Sequence, residues 1–116
     1  MAERAESYVL NREMSVSKAA LFFRHRAKPG RREDVRRVWE KHVKPQVEAN
    51  AAHEAYHFCF DDGDPDVICV FQLYSDREAM KAFLTGAWYP FYLAEVGPLV
   101  VAEPQVTTAT PVWAKG

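Results

Sequence analysis

Residues 55–75 read AYHFCFDDGDPDVICVFQLYS. Tyr56, Phe58 and Phe60 alternate with His57 and Cys59 on the way into the acidic run. Val67, Cys69, Phe71 and Leu73 alternate with Ile68, Val70, Gln72 and Tyr74 on the way out. Two aromatic and β-branched runs of period two, broken by Asp-Asp-Gly-Asp-Pro-Asp, predict a β-hairpin. A four-residue loop, Asp62–Pro65, pairs Asp61 with Asp66, and hence His57 with Val70 and Cys59 with Ile68. On that register His57, Cys59, Gln72 and Tyr74 share one face, and Tyr56, Phe58, Phe60, Cys69, Phe71 and Leu73 share the other. A loop one residue longer or shorter exchanges these partners, because the side-chain period is two.

The chain around this hairpin is an ordinary globular one. At 116 residues it is the size of one domain and long enough to bury a core without staples. A net charge of −1 gives no footprint for nucleic acid or an anionic membrane surface. Its apolar runs are too short to span a bilayer, and the N-terminus shows no signal-peptide pattern, so a cytoplasmic protein is expected. The register above points Cys59 and Cys69 to opposite faces, which makes a disulfide unexpected in a reducing compartment.

Outward from the hairpin, residues 1–17 lack periodicity and are expected to form a flexible tail, with residues 18–116 making a single domain. Lys18–Lys28 alternates as a strand, with Leu21, Phe23 and His25 on one side and Phe22, Arg24 and Arg26 on the other. After Pro29-Gly30, Arg31–Ala49 has helical spacing, with Pro45 set to break it near His42–Lys44. Ser75-Asp-Arg-Glu78 reads as a capping box opening a second helix, whose buried stripe would be Ala79, Ala82 and Phe83. Trp88–Tyr92 starts a short third helix. Gln105–Trp113 is the last strand, placed at an edge or an end by Pro111. The order is β-α-β-β-α-β: an α+β, ferredoxin-like fold with a four-stranded antiparallel sheet. Helices on one face leave the other face bare, and its large apolar residues are expected to be covered by a second copy.

Several ordered features now converge: Lys28-Pro29-Gly30-Arg31 closing the first strand, Tyr56-His57, the Asp-Pro hairpin loop, Val70–Asp76, Trp88-Tyr89-Pro90-Phe91 and Glu103-Pro104 before the last strand. Together, over residues 18–113, they resemble the antibiotic biosynthesis monooxygenase family, whose fold is the dimeric α+β barrel. The resemblance implies a cofactor-independent oxygenase acting on a phenolic, quinol or anthrone-like ring with O₂, in aromatic polyketide biosynthesis, with neither metal nor flavin required. Such chemistry needs a slot for a flat ring, a base, an oxyanion partner and exclusion of water.

Tyr56-His57 matches a family histidine that follows a tyrosine, which implies His57 as base or oxyanion partner. A histidine satisfied by a carbonyl or set at a dimer face is the competing reading. Tyr74 stands where the family often has tryptophan. It is the second catalytic candidate, against an ordinary core tyrosine. Gln72, on the same expected face, would hold a substrate oxygen. Met80 replaces a tyrosine that some members carry, which removes a relay from that helix and suits an apolar pocket wall. Trp88, Tyr89, Phe91 and Tyr92, with Trp39, would make an aromatic slot or simply core. Arg24 could meet a phenolate, though a salt bridge is commoner, and His25 is a further candidate for the base.

No metal site is expected, because the Asp61–Asp66 run lacks the spacing of a calcium loop and the four histidines are scattered. A non-catalytic binder of aromatic metabolites on the same barrel is the alternative function. Haem degradation, found in relatives, would want a histidine near the third helix, where Trp88-Tyr89-Pro90 stands.

Overall fold

The computed structural model describes residues 17–115; the expected N-terminal tail lies, Ser17 apart, outside the described residues. The elements are β1 (Ala19–Arg26), α1 (Arg32–His42), a short α2 (Lys44–Glu48), β2 (His53–Phe60), β3 (Val67–Tyr74), α3 (Arg77–Leu84), α4 (Tyr89–Val96) with a 3₁₀ turn (Gly97–Leu99), and β4 (Gln105–Ala109). The strands make one antiparallel sheet in the order β2-β3-β1-β4. This is the expected ferredoxin-like α+β arrangement.

The local chemistry accounts for the helices. α1 places Val35, Val38, Trp39 and His42 on one stripe, with Glu33 and Asp34 in its first turn and Lys41 and His42 in its last. Pro45 has no N–H to give the preceding turn, so α1 stops at His42 and the chain resumes as α2. The cap of α3 is Asp76 rather than Ser75: its Oδ1 accepts the Ala79 N–H at 2.7 Å. The buried stripe of α3 is correspondingly Met80 and Phe83, with Ala82 exposed, because the bulkier apolar side chains win the inner face. β4 ends at Ala109, short of the expected Trp113, and Pro111 lies beyond it.

The hairpin register differs from the sequence expectation by one residue. Phe60 pairs with Ile68, Cys59 with Cys69, Phe58 with Val70, His57 with Phe71 and Tyr56 with Gln72. The loop therefore holds five residues, Asp62–Asp66, closed by Asp61 N–H donating to the Val67 carbonyl at 3.0 Å. Arg32 holds this loop. Its Nη1 donates to the carbonyls of Asp61 (3.2 Å), Asp64 (3.0 Å) and Val67 (3.1 Å), while its guanidinium lies 3.9 Å over the Phe60 ring. Asp66 Oδ1 accepts the N–H of Gly30 at 3.0 Å, and Gly30 has the positive φ (77°) that a side chain resists. Two carboxylates of the acidic run are engaged within the protein: Asp61 with Arg24 and the Gly63 N–H, Asp64 with Arg26 and the Asp66 N–H.

One slipped residue flips the partition of the hairpin. Tyr56, Phe58, Phe60, Ile68, Val70, Gln72 and Tyr74 face the helices, and His57, Cys59, Cys69, Phe71 and Leu73 face away. Cys59 and Cys69 are consequently direct partners on the same face, correcting the expectation of opposite faces, and both are free thiols. A second irregularity lies at the start of β2. Tyr74 pairs with His53 and Leu73 with Ala55, so Glu54 is an extra residue, a bulge that turns His53 inward.

If Arg32 holds the loop, Arg32→Met, which keeps the stem over Phe60 but loses the carbonyl bonds, should cost about 2 kcal/mol. Urea unfolding would show this as a lower midpoint. An unchanged midpoint would remove Arg32 from this role.

Candidate ligand cavity

Between the sheet and its helices lies a cavity of about 130 Å³. Its floor is Leu21, Phe23 and His25 of β1, Tyr56 and Phe58 of β2, and Ile68, Val70 and Gln72 of β3. Trp39 from α1, Phe83 from α3, and Trp88, Tyr89 and Tyr92 at α4 form the wall opposite. None of the lining side chains is an aspartate, glutamate, lysine or arginine. Trp39 stacks on Phe58 with ring centres 4.3 Å apart and donates its indole N–H to Tyr56 Oη at 2.9 Å. Gly86 lets the Trp88 indole fold back on the chain, since a Cβ there would stand 2.3 Å from Trp88 Nε1.

At one end of the cavity the hydrogen-bond polarity is fixed residue by residue. The Ala52 N–H donates to Asn50 Oδ1 at 3.3 Å, which leaves Asn50 Nδ2 to donate to His53 Nδ1 at 3.0 Å. His53 must then carry its proton on Nε2, which donates to Gln72 Oε1 at 3.1 Å. Tyr74 O–H donates to the same oxygen. Both bonds hold Oε1, so the Gln72 NH₂, which has no partner among the described residues, is the group left for a ligand in the cavity. Gln72 itself is 6% exposed.

His25 stands at the other end. Its Nε2 lies 2.9 Å from the Ala102 carbonyl, and a carbonyl can only accept, so the proton is on Nε2. The segment carrying Ala102 is pinned beside β1 by Val101 N–H donating to the Arg26 carbonyl at 3.1 Å and Lys28 N–H to the Leu99 carbonyl at 2.8 Å.

Burial sets the ionisation of the whole site. Desolvation pushes His25 and His53 below the usual imidazole value, against the opposing hydrogen bonds to Ala102 and Gln72. It pushes Tyr56 up to about 12, and raises Tyr74, Tyr89 and Tyr92 as well. These groups are neutral hydrogen-bonding groups at neutral pH.

Of the residues singled out from the sequence, Gln72, Trp39, Trp88, Tyr89, Tyr92 and His25 come together on the cavity. Tyr74 lies behind Gln72, fully buried, and its hydroxyl is taken up by Gln72. Met80 is buried in the core without lining the cavity, and Phe91, expected in the aromatic slot, is on the exposed side of its helix. His57 is exposed on the opposite sheet face, a consequence of the five-residue loop. Arg24 is on that face too, with Nη1 3.3 Å from Asp61 Oδ1 and 3.4 Å from Cys69 Sγ. Sequence reasoning missed Tyr56, which the shorter loop turned to the wrong face, and His53, whose inward turn depends on the bulge. Among the described residues no group of three His, Cys, Asp or Glu side chains is set to hold a metal ion, and no helix is long and apolar enough to cross a membrane.

The fold and the cavity define an α+β domain with an uncharged, aromatic-lined site. The sequence profile of the family described as antibiotic biosynthesis monooxygenase matches residues 19–89, more than half of the chain. The chain belongs to that family. Solved structures share the fold. A candidate antibiotic biosynthesis monooxygenase from Chloroflexus aurantiacus J-10-fl superposes with a TM-score of 0.71 at 24% identity, over 86% of this chain and 98% of that one. A protein of unknown function from Nitrosomonas europaea gives 0.73 at 24% identity, over 86% and 94%. A further candidate monooxygenase, from Caulobacter crescentus CB15, gives 0.77 at 16% identity, over 84% and 92%. No curated protein matches the sequence.

The lowered histidines make stability depend on pH in a defined direction. In the unfolded chain they bind protons below about pH 6.5, while the folded protein resists doing so. Their stabilising effect is full above that pH and is lost as pH falls toward and through their folded values. Tm should therefore drop between about pH 7 and pH 5, and His25→Phe should flatten the slope. A Tm that is level across this window would contradict the buried, neutral state of both rings.

Proposed function

We propose that this protein is a homodimeric, cofactor-independent oxygenase for a single-ring phenol or hydroquinone. Family membership supports the reaction class. The observation that carries the substrate class is the cavity itself: aromatic walls, no formal charge, one oriented amide donor and about 130 Å³. An apolar protein cavity of about 150 Å³ takes up benzene, so this volume suits one ring rather than the three of an anthrone or a tetrapyrrole.

Gln72 Nε2 donates to a ligand oxygen, and the His53–Tyr74 pair behind it keeps the amide from rotating away. Trp39, Tyr56 and Phe58 pack the ring and exclude water, which strengthens the hydrogen bonds inside. A single-ring hydroquinone oxidised in this way to a hydroxy-1,4-quinone takes one oxygen atom from O₂ and releases the other as water, the substrate supplying the electrons. The polyketide setting and the catalytic role first assigned to His57 draw no support from this geometry.

The sheet's outer face supports the dimer. Phe22 is 47% exposed there, with the Phe71 ring 5.2 Å away and Leu73 in the next pleat. A second copy would cover this patch as the two barrel halves close.

Purified protein should consume O₂ with a single-ring hydroquinone in the absence of added metal or flavin, measured with an oxygen electrode. Gln72→Leu should lower kcat/KM about tenfold, the factor matching one hydrogen bond of about 1.4 kcal/mol. Binding without oxygen uptake across a panel of phenols would make the protein a binder of aromatic metabolites instead. In light scattering the protein should run at twice its chain mass, and Phe22→Glu should run as a folded monomer by circular dichroism. A wild-type monomer would overturn the dimer.

A further inference from the structure

We propose that His25 Nδ1 is the proton acceptor for the hydroxyl of the cavity's ligand, with the Ala102 carbonyl acting as the device that keeps this nitrogen bare. The proposal rests on reading the cavity as an aromatic site and adds to it a base and a direction of binding.

The atom is conspicuous on hydrogen-bonding grounds. His25 is 6% exposed, and Nδ1 is a buried polar atom with no hydrogen-bond partner among the described residues. Buried acceptors without a donor are costly and rare in folded proteins. The ring lines the cavity, and its other nitrogen is committed to the Ala102 carbonyl at 2.9 Å. Nδ1 is therefore a lone pair without a donor, on a ring that lines the cavity. The Phe23 ring edge, 5.4 Å from the imidazole, restrains its orientation.

The two ends of the cavity have opposite polarity. Gln72 offers only donors, and His25 only an acceptor. Leu21, the β1 partner of Gln72, lies four residues from His25, two pleat repeats or about 13 Å along the strand. A single ring oxygenated at both ends, with a hydrogen bond of about 2.8 Å at each, is comparable in length to this separation. Its hydroxyl points to His25 and its acceptor oxygen to Gln72. In the reaction the ligand's O–H bond breaks, the proton passes to Nδ1 and the electron pair stays on the oxygen. The product is a phenolate beside an imidazolium whose two N–H groups are both used, one by the phenolate and one by Ala102. Burial disfavours the cationic ring, and the Ala102 carbonyl and the Glu103 charge offset part of that.

The probe pair 4-nitrophenol and 4-nitroanisole tests this, because only the first has a proton to give while both keep the ring and the acceptor end. With wild-type protein, at a pH where free 4-nitrophenol is neutral, the bound probe should show the absorption band of the phenolate. His25→Phe should bind 4-nitrophenol at least tenfold more weakly and without that band, while its affinity for 4-nitroanisole stays near wild type. Binding of both probes by wild type without a phenolate band, or an unchanged band in His25→Phe, would overturn the role of His25 alone. Failure to bind either probe would overturn the aromatic reading together with it. Independently of any ligand, ¹⁵N NMR of the wild-type imidazole should show the proton on Nε2, and a proton on Nδ1 would end the proposal whether or not the variant folds.

Discussion

Everything that gives this domain a usable cavity depends on how the Asp62–Asp66 loop closes, and Arg32 governs that closure. Three backbone carbonyls, one in the loop and one on each side of it, converge on one guanidinium nitrogen, and the flat face of the same group covers Phe60. Carbonyls turned inward at a hairpin end would otherwise need water. A cation from the first turn of α1 satisfies them and ties the helix to the hairpin in the same contact. The loop then holds five residues, and side-chain parity along both strands follows from that count.

Parity in turn decides the chemistry. With Tyr56 opposite Gln72, both enter the space under the helices, and His57 is turned out to the bare sheet face. The bulge at Glu54 brings in a different histidine, His53, whose tautomer is set by Asn50 and ultimately by one backbone N–H, that of Ala52. A chain of single-choice hydrogen bonds thus runs from the main chain to the amide that faces the cavity. At the opposite end the Ala102 carbonyl makes the same kind of choice for His25. An uncharged aromatic pocket with an oriented amide at one end constrains both a ligand's shape and its orientation.

The fold was legible because it rests on long periodic segments and strong punctuation. The alternation of Val67–Tyr74, Pro45 inside a helical stripe and the aromatic run beginning at Trp88 each mark an element, and their order gives the ferredoxin-like sheet. The site was legible only in part. Trp39, Gln72, Trp88, Tyr89 and Tyr92 were found as residue types suited to a ring slot, and they do meet. The assignment to His57 required the loop length, which depends on Arg32 thirty residues away, a contact no local pattern announces. His53 required a bulge, which breaks the very periodicity by which strands are read. His25 had the correct face from the start, but its significance lies in a bond to Ala102 far along the chain.

The register is therefore the claim on which cavity, polarity and proposed chemistry all stand, and interstrand NOEs in the uniformly labelled protein measure it directly. Backbone contacts linking Phe58 to Val70 and Tyr56 to Gln72 are the expected result. Contacts linking His57 to Val70 and Cys59 to Ile68 would instead establish the four-residue loop, return His57 to the inner face and contradict the account given of the cavity.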